Sequence, residues 1–256
     1  MHTYLKNFIK YRYLMEQLIK KEIKLKYRSS VLGIIWAMLE PLLHMIVLSY
    51  VFQQILNKSI GPVYILIGRL LYSFFANATK ATTKAIRKNS AIIKKVYVPK
   101  YIYTFSTIFA NYIIFLISLI VLVPVAIFFH FYPSLHTLYA LIPLFEILLI
   151  SLGVGTILST LSVFFKDLEY LWGVILMLLM YTSAIFYDVD RLFKSGNQWL
   201  LKINPVYAVI CNFRNAVFGE PMDMYSLWYA LIFGVVTFAI GIIMFWKKQD
   251  KFILYI

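Results

Sequence analysis

Residues 101–131 read YIYTFSTIFANYIIFLISLIVLVPVAIFFHF, a run with no Asp, Glu, Lys or Arg. A helix rises about 1.5 Å per residue, so about 20 such residues cross the hydrocarbon of a bilayer. The stretch therefore reads as a membrane span. The rest of the chain agrees: 62% of its 256 residues are apolar and 14% are charged, and the mean hydropathy is +0.78. A soluble domain has roughly half its residues apolar and about a quarter charged, so a water-soluble globule is excluded. Working outward, comparable runs lie at 31–56, 61–85, 138–165, 168–187 and 226–246. The second is mainly apolar only from 63 to 78 and is interrupted by Arg69. Its backbone spans only if other helices shield it, which makes it an interior helix of a bundle. The expected fold is an all-α integral membrane protein with six transmembrane helices, in one transmembrane domain over 1–256.

The formal net charge of +14 is unevenly spread. Lys6, Lys10, Arg12, Lys20, Lys21, Lys24, Lys26 and Arg28 precede the first span. Lys80, Lys84, Arg87, Lys88, Lys94, Lys95 and Lys100 follow the second, Lys166 the fourth, and Lys247, Lys248 and Lys251 the sixth. Lys58, Arg69, Arg191, Lys194, Lys202 and Arg214 fall on the other side. Basic loops mark the cytoplasmic face, so both termini are expected there. That accounts for most of the charge, and nucleic acid is not an expected partner. The first apolar run starts after thirty residues and lacks a small-x-small cleavage site, so no cleavable signal is expected. A single cysteine, Cys211, gives no disulfide framework, and four scattered histidines give no metal cluster.

Several segments are not simple spans. Within 1–30, Leu5, Phe8, Ile9, Met15, Ile19, Ile23 and Tyr27 share about a third of a helical wheel, which suits an amphipathic helix in the headgroup layer. In the first span Glu40-Pro41 and His44 lie deep in the apolar run. They face a cavity, or they mark a proline kink with Glu40 paired to a neighbouring helix. On the second span Arg69, Ser73, Asn77, Lys80, Lys84 and Arg87 occupy an arc of about 80°. Either this stripe lines an anion-attracting lumen, or Lys80 onward has left the membrane. Ser151, Gly155, Ser159 and Ser162, with Gly153, Thr156 and Thr160 beside them, predict a close helix-packing seam on the fourth span. Between spans five and six, 188–225 holds apolar pieces too short to cross, split by Asn204-Pro205. They predict a re-entrant external hairpin, with Trp199, Tyr207 and Phe213 among its apolar residues.

Chemistry is sparse. No phosphate-binding loop G-x-x-x-x-G-K-[ST], no G-x-S-x-G and no H-E-x-x-H occurs, so no catalytic residue, cofactor or metal is expected in this chain. Asp167 and Glu169 would diverge by about 200° on one helix, which does not suit acid–base pairing. Among the aromatics, Trp36, Tyr50, Tyr181, Phe186 and Tyr187 belong to interface belts or stack on sugar rings along a lumen.

Four stretches together resemble one family along nearly the whole chain. They are Lys26-Tyr27-Arg28-Ser29-Ser30-Val31-Leu32-Gly33-Ile34-Ile35-Trp36 with Leu39 and Pro41, then Ile93-Lys94-Lys95-Val96-Tyr97-Val98-Pro99, then Ser162-Val163-Phe164-Phe165-Lys166-Asp167-Leu168, then Asn204-Pro205-Val206-Tyr207. In order and spacing they resemble the permease subunit of ATP-driven (ABC) exporters of lipid-linked polysaccharides of the O-antigen, capsule and teichoic-acid type. One departure is the fifth span, where the family often has Ser-Pro and this chain reads Thr182-Ser183-Ala184-Ile185-Phe186-Tyr187. The resemblance implies a bacterial inner-membrane protein that forms a homodimer around a pore, with ATP and Mg²⁺ on a separate ATPase subunit. It implies that 86–100, through Asn89, Ile93, Lys94, Lys95, Val96 and Tyr97, seats in that ATPase. A gate helix carrying Glu22, Lys26 and Arg28 would lie near the same surface, and the hairpin with Trp199, Asn204, Pro205, Tyr207 and Phe213 would close the outer end. A polyprenyl-pyrophosphate headgroup would then meet Arg69, Ser73, Asn77, Lys80 and Lys84, with the glycan following past Trp36, Tyr50, Tyr181, Phe186 and Tyr187.

Other functions fit less of the sequence. A related permease for drugs, haem or small lipids would not need aromatics along a pore. A membrane-embedded transferase acting on polyprenyl-phosphate sugars would need an acidic or basic catalytic group at a membrane face, for which Asp167 and Glu169 are the only candidates. A structural anchor would leave Arg69 and Glu40 unexplained.

Overall fold

The structure is a computed structural model that describes residues 10–55, 60–96, 98–132, 135–187, 189 and 198–255, and among them every regular element is helical. In chain order they are α1 (Arg12–Tyr27), α2 (Trp36–Tyr50), α3 (Pro62–Lys88), α4 (Ser90–Ile93), α5 (Tyr101–Leu119), α6 (Leu122–Phe128), α7 (Leu141–Phe164), α8 (Leu168–Tyr181), α9 (Gln198–Ile203), α10 (Pro205–Phe218) and α11 (Met224–Lys248). Short 3-10 turns precede α2 and α7 and follow α11, and a wide π turn ends α2.

Four helical stretches are long and apolar enough to cross a membrane: Gly33–Gln53, Tyr101–Phe128, Leu135–Phe164 and Met224–Leu254. The other two expected spans differ for physical reasons. At 27 residues α3 is long enough, but Arg69, Lys80, Lys84, Arg87 and Lys88 dilute its apolarity. With 14 residues, α8 reaches about 21 Å at the helical rise, short of a hydrocarbon core of about 30 Å. It stops at Tyr181 rather than continuing to 187. Thr182 and Ser183 donate their hydroxyls back to the carbonyls of Leu178 and Leu179, and Ala184 adopts a left-handed φ of 47°. The helix thus breaks without a proline.

The central helix is α3. It starts at Pro62, whose fixed φ suits a first helical position, and ends where the Asn89 amide donates to the Ala85 carbonyl. Leu66, Ile67, Leu71, Phe74, Phe75 and Ala78 are buried in the main core, and Phe74 stacks on Phe115 of α5 at 5.0 Å. Around this core α7 packs along α11 with small residues at the seam. A Cβ on Gly153 would lie 2.4 Å from the Thr237 hydroxyl and 2.6 Å from the Phe238 nitrogen. On its other side Gly155 abuts Ile108 and Thr82, and Ser159 hydrogen-bonds Thr104 at 2.8 Å. Both arcs of small residues expected on the fourth span therefore serve close packing.

A second, smaller core lies at the basic end of the bundle. Leu18 of α1 joins Ile86, Ile93, Val98, Tyr103 and Phe252 there, with Tyr11, Leu14 and Met15 packed on the edge. On a helical wheel this docking face lies beside, not within, the apolar stripe read from the sequence, since Ile19, Ile23 and Tyr27 stay half-buried. Leu5, Phe8 and Ile9 of that stripe lie outside the described residues.

Candidate functional site: a basic groove along α3

Most of α3 is enclosed, and its remaining open face is the polar stripe. From Phe74 to Ile86 the apolar and threonine positions other than Ala76 and Ala81 are buried, whereas Asn77, Lys80 and Lys84 are exposed and Arg69, Ser73 and Arg87 are half-buried. A helix surrounded on its other faces keeps cations only on the side that meets water or an anion. That side opens on two adjoining cavities. One, of about 410 Å³, is lined by Glu22 and Lys26 of α1, by Asn77, Lys80, Lys84 and Lys88 of α3, and by α5. The other, of about 60 Å³, continues from the shared residues Lys26, Asn77 and Asn111 to Arg69, Ser73, Glu40 and His44. The larger falls within the volume range of small-ligand sites, and the smaller has room for a few waters.

The groove's charges are only partly free. Lys84 pairs with Glu169 of α8 at 2.5 Å, and Arg87 stands 4.0 Å from the same carboxylate. Lys88 pairs with Glu22 of α1 at 2.7 Å. Lys80 forms no ion pair among the described residues. On α1, burial pushes the Lys26 ammonium below the ordinary lysine range, and the Glu40 carboxylate pulls it partly back. Deeper in, Arg69 meets the sulfur of Met180 at 3.9 Å, which puts it at the contact of α3 with α8. The same contact is held by Tyr72, whose hydroxyl donates to the Leu176 carbonyl at 2.6 Å, and by Trp172, whose indole donates to the Thr79 hydroxyl at 3.0 Å.

Five residues read as one path, Arg69, Ser73, Asn77, Lys80 and Lys84, do line this continuous groove. The five aromatics do not join it. Trp36 and Tyr50 stand exposed on α2. Phe186 stacks on Phe52 at 5.9 Å, and Tyr187 donates its hydroxyl to the carbonyl of Tyr181 at 2.7 Å. Four of the five thus gather toward the opposite end of the bundle. Asp167 and Glu169 do not converge on one site either, since Glu169 is tied to Lys84 and Asp167 is exposed.

At the basic end, α4 presents Ile92, Lys94, Lys95 and Val96 outward while Ile93 is pinned in the smaller core. Asn89 is buried, and Tyr97 lies outside the described residues. This arrangement makes a short basic and apolar knob whose base is rigid. Arg28 is exposed just past α1.

The hairpin at the opposite end is fixed by two buried side chains. Asn204 caps α10, accepting from the backbone of Val206 at 2.9 Å and Tyr207 at 3.3 Å. Its amide donates to the Leu179 carbonyl and to the hydroxyls of Thr182 and Ser183. Pro205 occupies the first turn, Tyr207 and Phe213 are buried, and Trp199 is exposed. Residues 188 and 190–197 of the expected hairpin lie outside the described residues. Arg214 was read in the sequence only as a scattered charge. It is 4% exposed and stacks 3.3 Å above the Tyr64 ring, donating to the carbonyls of Ala184 and Tyr64. Gly68 makes room for it, since a Cβ there would stand 2.6 Å from the guanidinium. Glu146 on α7 was missed as well. It is fully buried, and neither carboxyl oxygen has a hydrogen-bond partner. An acidic residue inside an apolar run was the available signal.

Known proteins are similar in sequence over nearly the whole chain. The O-antigen export system permease protein RfbA of Klebsiella pneumoniae is 26% identical over 247 residues, 94% of this chain and 95% of the relative. The polysialic acid transport protein KpsM of Escherichia coli is 25% identical over 248 residues, covering 92% and 93%. The capsule polysaccharide export inner-membrane protein CtrC of Neisseria meningitidis serogroup A is 21% identical over 250 residues, covering 94% and 92%. The ABC-2 type transporter family matches residues 13–218, from α1 through the groove and the α4 knob to the end of α10. This chain, a multi-pass membrane protein, belongs to the ABC-2 type transporter family.

Proposed function

We propose that the chain is the permease of an ATP-driven exporter that moves a lipid-linked polysaccharide across a bacterial inner membrane. The carrying observation is the groove on α3: the central helix keeps one open face, and that face is basic. The printed roles of the relatives, in O-antigen export, polysialic acid transport and capsule polysaccharide export, support a polysaccharide cargo. In this reading the chain crosses six times, with α3 and α8 shielded by their neighbours and both ends on the cytoplasmic side. The groove receives the diphosphate that joins glycan to polyprenol. Because the groove is open along one side, a second copy of the chain completes the passage. The α4 knob docks the separate ATPase subunit, which holds the ATP and Mg²⁺. The hairpin α9–α10 closes the outer end.

Charge reversal separates these assignments. Arg69→Glu with Lys84→Glu is expected to abolish export of glycan to the cell surface while the protein still reaches the membrane. Lys94→Glu with Lys95→Glu is expected to abolish capture of the ATPase subunit on copurification. Unchanged surface glycan with the first pair would overturn the groove's role, and full ATPase capture with the second would overturn the docking site.

A further inference from the structure

We propose that Glu22 and Glu169 are built-in competitors for the groove's lysines, displaced by a lipid-borne diphosphate and left in place by the singly charged phosphodiesters of ordinary membrane lipids. This rests on the groove being the headgroup site proposed above, and it names what the headgroup displaces.

Lys80, Lys84 and Lys88 follow one another at intervals of four residues, about 6 Å apart along the axis of α3. Two of the three are already engaged. Glu22 reaches Lys88 from α1 at 2.7 Å, and Glu169 reaches Lys84 from α8 at 2.5 Å. The two carboxylate side chains are each 19% exposed, whereas their lysines are 48% and 58% exposed. The acids are therefore held in place by their helices, while the ammonium groups can swing. Lys80 has no acidic partner among the described residues, and Lys26 of α1 lines the same cavity.

A ligand with one negative charge finds Lys80 ready and gains little by displacing a carboxylate. A diphosphate carries at least two charges on two phosphorus centres. It can bridge Lys80 to Lys84 or Lys88 with charge-assisted hydrogen bonds, which are the stronger kind. The pairs it must break are half-exposed, and each is worth less than about fivefold in an equilibrium constant. The carboxylates thus lower affinity for the diphosphate, which must displace one or both of them, and leave the hold of Lys80 on a single charge little changed. Bilayer phosphodiesters held at Lys80 alone leave both pairs closed, and only the bridging ligand opens them. The same exchange frees α1 and α8 from α3, coupling arrival of the headgroup to the two helices beside the groove.

The test uses the full chain in phosphatidylcholine nanodiscs containing either undecaprenyl diphosphate or phosphatidylglycerol, with retained lipid read by native mass spectrometry. The wild type is expected to retain the diphosphate. The Glu22→Gln, Glu169→Gln double variant should raise diphosphate retention about threefold to tenfold and phosphatidylglycerol retention by less than about twofold. Glu22→Asp and Glu169→Asp, which keep the charge, should match the wild type and serve as folding controls. Lys80→Glu should release the diphosphate. Should the glutamine variant match the wild type for both lipids while Lys80→Glu still releases the diphosphate, the competitor role is wrong and the groove stands. Equal diphosphate retention by the wild type and Lys80→Glu would overturn the groove reading and the inference with it.

Discussion

Asn204 fills two roles with one side chain: its oxygen caps α10, and its amide fastens that helix to the last turn of α8. Removing it takes away a cap, worth about 1 kcal/mol, and leaves a buried carbonyl and hydroxyls short of a donor. Asn204→Ala is therefore expected to cost about 2–4 kcal/mol, read as a lower unfolding temperature in detergent. Asn204→Asp keeps the cap but loses every bond to α8, so it should recover only part of the loss; full recovery would show that the links to α8 are energetically idle. Lys26 offers a test by pH. Its ammonium is held below the ordinary lysine range by burial, so it loses its charge at lower pH than an exposed lysine does. Retention of a diphosphate lipid should accordingly begin to fall earlier on the alkaline side in the wild type than in Lys26→Arg, which stays charged. The folded chain also binds this proton less tightly than the unfolded chain. Stability therefore rises with pH between the lowered value and the ordinary value of about 10.4. Coincident binding profiles would exclude Lys26 from the site. Not all such residues were legible from sequence. The polar stripe of α3 was, because a 3.6-residue period reveals which residues share a face. The pairing of Lys84 with Glu169 was not, because the partners lie 85 positions apart and nothing local marks them.

At the scale of elements, the helices that could be read from sequence are those whose stability against lipid is their own. α5, α7 and α11 lie in stretches apolar enough over a membrane-spanning length, and that apolarity alone identifies them. α3 and α8 depend on neighbours. One carries charges that only a central, shielded helix can accommodate, and the other is shortened by the hydroxyl back-bonding of Thr182 and Ser183 and the left-handed Ala184. Composition showed that small residues cluster on α7, but not which neighbour each faces. The structure turns Gly153 to α11 and Gly155 to α3 and α5. The seam with α11 leaves no space for a methyl group, and the obstructing atoms include backbone. Gly153→Ala should therefore push α7 and α11 apart and cost about 1–3 kcal/mol. Gly173→Ala, at a site where a Cβ meets nothing, should cost nothing measurable or stabilise slightly through helix propensity. Thermal unfolding of the two variants in the same detergent compares them directly. Equal melting would mean that α7 and α11 are not in the close contact described.

At the scale of the whole molecule, the sidedness proposed for the chain rests on where its basic residues and its short helices fall, and it is open to a direct test. Only one cysteine, Cys211, is present, so a Cys211→Ala background gives a chain with no reactive thiol. Single cysteines can then be placed at exposed positions: Lys94 beside α4, Lys251 after α11, Trp199 on α9 and Glu220 after α10. If α3 and α8 both cross, Lys94→Cys and Lys251→Cys should react with a membrane-impermeant maleimide only in inverted vesicles. Trp199→Cys and Glu220→Cys should react in intact spheroplasts. The decisive segment is α8, at 14 residues too short to span unaided without local thinning of the bilayer or continuation through 182–187. Were it to return to the side it entered from, the hairpin would label together with Lys94, and Arg214 and Asn204 would fasten a structure on the ATPase side of the membrane. A hairpin labelled from outside places those two buried anchors at the exit end of the passage. The basic groove would then open at one face of the bilayer and the hairpin stand at the other, and an anion bound at Lys80 would still have the depth of the bundle to cross.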